Sequence, residues 1–321
     1  MAPKHIVVFH ICRYYNVLAR SRDFGGADFQ TRQCRSSFLS ESVTAIKVHL
    51  NKHRFPYILF GLVILLNFHL LWGLIEDWLR DDNYSHGFLV IPVSIFLIWR
   101  GRARIRFPAP VSRTGFIFFV LGCIGLLFGS AASEFFATRF SLVLTITGLA
   151  LYYLGNENFR RVWFAFFFLL FMIPIPAIVY YSATMPLQLF ASKATTAILH
   201  VIGVPSSREG NIIYLPTYTL EVVEACSGLR SLVALMALAA LIGNLILPGR
   251  IRPLLLFVLA IPVAIVVNIF RLVITAIGAY TISPKLAEDF LHEVSGILVF
   301  AVAFLIIIAI TGLLKWKRKP S

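Results

Sequence analysis

The chain predicts an all-α, polytopic membrane protein with about eight transmembrane helices, and three observations carry that prediction. Of its 321 residues 59% are hydrophobic, and the mean hydropathy is +0.83. Several separate apolar runs approach the roughly 20 residues an α-helix needs to cross a bilayer. Lysine and arginine gather in short segments between these runs, so the net charge of +14 reads as positive-inside loops and no nucleic-acid partner is expected. The composition excludes an ordinary soluble domain.

The first 55 residues are polar and arginine-rich with no apolar run of spanning length, which predicts a disordered cytoplasmic tail. Ile6 to Ile11 is too short for the apolar core of a signal peptide and contains His10, so a cleavable leader is not expected. A membrane domain over 56–314 follows, and residues 315–321 form a basic cytoplasmic end. Within it the apolar runs predict spans at Pro56 to Ile75, Tyr84 to Trp99, Thr114 to Ala132, Thr138 to Gly155, Val162 to Tyr181, Gly228 to Leu247, Pro253 to Ala276 and Glu293 to Leu314.

Charge sets the orientation of these spans. Basic residues precede the first span (Lys47, Lys52, Arg54) and follow the second (Arg100 to Arg113), the fourth (Arg160, Arg161), the sixth (Arg250, Arg252) and the eighth (Lys315 to Lys319). Both termini are therefore expected in the cytoplasm. The acidic or mixed loops, Glu76 to Asp82 and Ser283 to His292, belong outside.

One sizeable external segment, Ser182 to Ser227, separates the fifth and sixth spans. Its first half, Pro186 to Gly203, carries Leu187, Phe190, Ala194, Ile198 and Val201 at helical spacing, with Gln188, Ser192 and Thr195 on other faces. That pattern predicts an amphipathic helix at the outer membrane interface. The second half, Asn211 to Val223, alternates and contains Pro216, which predicts a short extended or hairpin element. Such an element, leading directly to a cysteine, suits an extended peptide substrate.

The chemistry-bearing residues converge on one membrane level. Cys226 precedes the sixth span, which runs inward from the outer face. Arg271 lies 18 residues after Pro253 in an outward-running span, about 27 Å along a core of about 30 Å. His292 precedes the eighth span at the same face. A thiolate can attack a peptide carbonyl, a histidine can hold and deliver the proton for the departing amine, and a guanidinium can stabilise the oxyanion. Arg230, four residues after Cys226, can lower the thiol pKa, and Asn268, three residues before Arg271, can orient the guanidinium. Glu224 is the next proton carrier after His292, and Ser227 suits packing or a hydrogen bond. No metal or cofactor is implied.

Each residue also has a plainer reading. Membrane-helix cysteines are most often small apolar fillers, which is the assignment for Cys123 in the third span. Cys12 and Cys34 fall in the tail, so Cys226 is expected to remain a free external thiol. Outer-end arginines can snorkel to the interface, and Ser295-Gly296 reads as helix packing. A transporter or polysaccharide-export component, with Arg271 binding an anionic sugar or lipid, is the rival from another class, and a glycan polymerase is a third. Pro174, Pro176 and Pro262 leave room for the broken helices a transporter uses.

The run Glu221-Val222-Val223-Glu224-Ala225-Cys226-Ser227-Gly228-Leu229-Arg230-Ser231-Leu232, with Asn268-Ile269-Phe270-Arg271 and His292 ahead of a final span, resembles the exosortase/archaeosortase family of membrane transpeptidases. Tyr84-Ser85-His86-Gly87-Phe88 resembles an early motif of the same family, and the likeness extends over roughly Trp72 to Leu314. The resemblance implies catalytic Cys226, Arg271 and His292, and a bacterial inner-membrane protein whose site faces the periplasm. It implies exported protein substrates carrying a C-terminal sorting signal of the PEP-CTERM type: a motif such as Pro-Glu-Pro, a transmembrane helix and a basic tail. The acyl acceptor is an unspecified nucleophile or water. Histidine at the third position is similar to bacterial members, since arginine is usual in archaeal ones.

Overall fold

The computed structural model describes residues 54–106, 109–216, 218–222, 228–282 and 290–316, with the side chains of 54, 55, 82, 290–295 and 297 outside the description. Expectations for the tail, for Glu224, Cys226 and Ser227, and for the His292 side chain therefore lie outside the described residues. The chain divides into two compact units, Met1–Leu66 and Asn67–Ser321.

In the first unit, α1 (Arg54–Leu66) is an apolar helix after its first residue, Arg54. The second unit starts with α2 (Phe68–Arg80), a 3-10 turn at Asp82–Tyr84, and α3 (Gly87–Gly101). Two long helices follow, α4 (Arg113–Ala131) and α5 (Phe135–Phe168), then a 3-10 segment at Leu169–Met172 and α6 (Ala177–Ile202). Three short strands, β1 (Ser207–Glu209), β2 (Ile212–Tyr214) and β3 (Thr219–Glu221), form an antiparallel meander. It pairs Ile213 with both Arg208 and Leu220. The chain ends in α7 (Leu229–Ile246), α8 (Ile251–Thr281) and α9 (Phe290–Trp316).

Among the described residues, five helical stretches are long and apolar enough to cross a membrane, or six if Pro56–Leu66 and Phe68–Arg80 count as one broken span. Three of the eight predicted runs take a different form. The first is divided at Asn67 into α1 and α2. The second is a 15-residue helix, about 22 Å long and short of a 30 Å hydrocarbon core. Val162 to Tyr181 is broken: the helix ends, Ile173 is extended, and α6 starts afresh at Ala177. Pro174 and Pro176 are the physical cause, since neither has an N–H to continue the ladder and each biases its predecessor away from helix.

α6 runs through Pro186 as one helix of 26 residues. Its polar side chains Thr184, Gln188, Ser192 and Thr195 are buried, whereas Phe190, Ile198 and Val201 are exposed. Polar groups on this helix thus face the protein while much of its apolar surface faces outward, the reverse of a helix on a soluble domain. The strands bear out the hairpin expected after Asn211, with Pro216 between β2 and β3; β1 had no sequence signal.

Three apolar clusters hold the second unit together. One joins α2, α3, α5 and α7 through Leu74, Trp78, Val90, Phe164 and Ala237. Another joins α6, the strands and the end of α8 through Leu199, Ile213, Val222, Leu272 and Ala276. The third joins α7, α8 and α9 through Leu235, Ala264, Val267, Val299 and Ala303. α4 lies on α5 at backbone contact, because a Cβ at Gly122 would sit 2.6 Å from the Thr145 amide nitrogen, and Gly115 and Gly148 are as tightly enclosed.

Candidate active site

The segment carrying the cysteine, 223–227, is flanked by described residues that both pack against α8. Immediately before it, Val222 is fully buried in the same cluster as Leu272, Val273 and Ala276 of α8. Its amide N–H donates to the Asn211 carbonyl at 3.0 Å, which closes the meander. Immediately after it, Gly228 caps α7 with φ 83° and ψ 0°, the left-handed conformation in which only glycine is comfortable. A Cβ at this position would sit 2.9 Å from Asn268 Cγ and 3.0 Å from Nδ2, so the start of α7 presses directly on the Asn268 side chain. Asn268 is only 3% exposed and cannot retreat into solvent. Arg271 lies between the two anchor points on α8, one turn beyond Asn268 and beside Leu272, and is half-buried.

α9 comes to the same end of the molecule. The members of the α7–α8–α9 cluster nearest this end are Val267 on α8 and Val299 on α9. Arg271 stands four residues beyond Val267, about 6 Å along α8. His292 stands seven residues ahead of Val299 in the first turn of α9, about 10 Å along it. Both residues thus lie beyond the cluster on the side toward the connection between α8 and α9. α8 continues ten residues past Arg271 to Thr281, five residues beyond the predicted end of this span at Ala276.

Arg230, in the first turn of α7, is exposed and donates from Nε to Asn83 Oδ1 at 2.8 Å. Asn83 sits in the 3-10 turn between α2 and α3, where its amide donates to Asp81 Oδ1 at 2.9 Å. The early motif is built into the same junction. Tyr84 Oη donates to the Ile175 carbonyl at 3.3 Å, and His86 Nε2 pairs with the Phe171 carbonyl at 3.1 Å. Trp78 Nε1 donates to the Met172 carbonyl at 3.0 Å, and Gly87 leaves room for that indole. The carbonyls that lose helical partners where α5 gives way at Pro174 and Pro176 are thus taken up by the segment that presents Asn83 to Arg230.

A second charged group supports this segment from below. Arg139, on α5, is buried and pairs with Asp77 of α2 at 2.6 Å, with its guanidinium 5.6 Å from the Phe135 ring centroid. Sequence reasoning singled out neither Asn83 nor the Asp77–Arg139 pair. An arginine inside the predicted fourth span was the available signal for Arg139, whereas nothing local marks Asn83.

The geometry therefore joins Arg230 to Asn83 and sets Gly228 against Asn268, one turn from Arg271 on α8. Arg230 on α7 and Arg271 on α8 are cationic donors of the kind that can stabilise a developing oxyanion. No curated protein and no solved structure matches the chain. The family model described as transmembrane exosortase (Exosortase_EpsH) matches residues 78–309, which take in Asn83, Arg230, Asn268 and Arg271. The chain belongs to the transmembrane exosortase family.

Proposed function

We propose that the protein is a membrane-embedded cysteine transpeptidase or protease that cleaves the C-terminal sorting signal of exported proteins at the outer face of a bacterial inner membrane. The observation that carries this reading is the packing of Val222 and Gly228, the described residues on either side of 223–227, against α8, the helix that also carries Arg271. Two peptide units connect Gly228 to Cys226, a reach of about 7 Å.

In this mechanism His292 takes the proton of the Cys226 thiol, and the sulfur attacks the scissile carbonyl carbon. Arg271 donates to the oxygen as it gains negative charge. Collapse breaks the C–N bond, His292 returns the proton to the departing amine, and the exported protein remains as a thioester on Cys226. An acceptor nucleophile or water then attacks the thioester and releases the thiol. Arg230 favours the thiolate, and Asn268 orients Arg271, with Glu224 and Ser227 supporting. In this reading the basic segments lie in the cytoplasm and these residues on the periplasmic side.

Processing of an exported reporter carrying a Pro-Glu-Pro motif, a transmembrane helix and a basic tail tests the proposal. Cells with Cys226→Ala should accumulate the uncleaved reporter, while Cys123→Ala processes it normally. Normal cleavage by a well-expressed Cys226→Ala protein would leave the break at Pro174 and Pro176 and the anion-binding potential of Arg271 to the transporter reading.

A further inference from the structure

Seven exposed arginines gather at a junction far from the cysteine segment in sequence and unused by the proposed chemistry: Arg100 in the last turn of α3, Arg102, Arg104 and Arg106 after it, Arg113 at the start of α4, and Arg160 and Arg161 on α5. Positive loops are ordinary in membrane proteins. Here, however, the backbone that carries them is locked. Gly155 breaks α5 with φ 71° and ψ 164°, and a Cβ there would lie 2.5 Å from the Pro110 carbonyl oxygen, so the loop rests on the break itself. Asn158 grips Arg106 at two points, accepting from its amide at 3.0 Å and donating to its carbonyl at 2.8 Å.

Ser112 completes the frame. Its amide donates to the Tyr152 carbonyl at 3.1 Å and its hydroxyl to Asn156 Oδ1 at 2.5 Å. Arg161 donates to the Arg104 carbonyl, and Gly101 fits against Val162. Arg102 lies over the exposed Trp99 ring at 4.5 Å. Glu157 is the single carboxylate among them, and among the described residues none of the seven arginines is in an ion pair.

We propose that this arginine platform binds the phosphate headgroups of anionic phospholipids. Guanidinium forks match phosphate oxygens in paired donation, and a preorganised backbone spares the ordering that a flexible loop would undergo on binding. Seven like charges within a few turns of chain repel one another unless counter-charge is held close. The ligand is a lipid rather than a free anion because the platform adjoins the end of α3 and the start of the spanning helix α4, with Trp99 exposed beside it where an indole suits the headgroup level.

The test uses the full-length protein, reconstituted in vesicles of equal phosphatidylglycerol and phosphatidylcholine and extracted for native mass spectrometry of retained lipid. Phosphatidylglycerol should predominate in the wild type. In Arg102→Gln/Arg104→Gln/Arg160→Gln the preference should fall on the order of a hundredfold. In Lys193→Gln/Arg250→Gln/Lys315→Gln, which removes the same charge from exposed sites elsewhere, it should change by less than about twofold, because the site and not net charge holds the lipid. The single variants Arg104→Gln and Arg160→Gln, each expected to lower the preference about fivefold, carry the same test if the triple variant fails to fold. Unchanged preference in the platform variants, an equal loss in the control triple, or complete displacement of lipid by millimolar inorganic phosphate would each overturn the proposal.

Discussion

Substitution of Gly228 by alanine perturbs the site without removing any chemical group from it. The residue has φ 83°, where an L side chain costs about 1–2 kcal/mol. The new Cβ would also lie 2.9 Å from Asn268 Cγ. Asn268 is 3% exposed, so it has no free space to move into, and overpacking of this kind adds about 1–3 kcal/mol. Gly228→Ala should therefore destabilise the protein by about 2–5 kcal/mol. Gly203 supplies the control, since its φ is 87° and nothing lies within 4 Å of its virtual Cβ. Gly203→Ala should show the strain alone, about 1–2 kcal/mol.

The two variants separate further in activity. Relief of the clash pushes α7 away from α8 by a few tenths of an ångström or more, and misplacement approaching 1 Å costs roughly a hundredfold in rate. Thermal melting in detergent, paired with reporter processing in cells, reads both effects. The reasoning fails if Gly228→Ala melts and processes like Gly203→Ala. It also fails if Gly228→Ala and Asn268→Ala destabilise additively, since partners in direct contact should couple.

The other predictions concern charge and access. Arg271→Lys should lower processing by about 10²–10³, because an ammonium cannot reproduce the planar fork, and His292→Ala should be comparably severe; a lysine variant working at the wild-type rate would reduce Arg271 to an interfacial anchor. Asn83→Ala should slow processing roughly tenfold through loss of the Arg230 acceptor, at the lower end for a charged hydrogen bond because Arg230 is exposed. Asn83→Asp, which keeps an acceptor in place, should recover most of that loss, and equal rates for Asn83→Ala and wild type would make the contact incidental. In sealed spheroplasts a membrane-impermeant thiol reagent should label Cys226 alone, more slowly in Arg230→Ala, where the thiol returns toward its ordinary pKa of about 8.5. Labelling of Cys12 or Cys34 with Cys226 protected would place the site in the cytoplasm.

Several elements were legible because their cause is local. Apolar length identified α4, α7, α8 and α9 to within a few residues, and Gly155 ended a helix where the run of apolar residues suggested it would. Pro216 and the alternation around it marked β2 and β3. The break at Ile173–Pro176 had its signal in two prolines, yet the apolar run concealed it, since hydropathy counts side chains and is blind to missing amide hydrogens. The inward polar face of α6 was hidden for a related reason: amphipathic patterning says that two faces differ, and lipid and protein interior can exchange roles.

The sequence by itself determined the class of the protein and its family motifs, because apolar length per helix and residue chemistry are local properties. Only the tertiary structure decided that Gly228 presses on Asn268, that Asn83 holds Arg230 from 147 residues away, and that Val222 and Gly228 pack against the same helix. Those contacts join residues on different elements, and which faces of two helices meet depends on how all of them pack together. No periodicity within either helix records that choice.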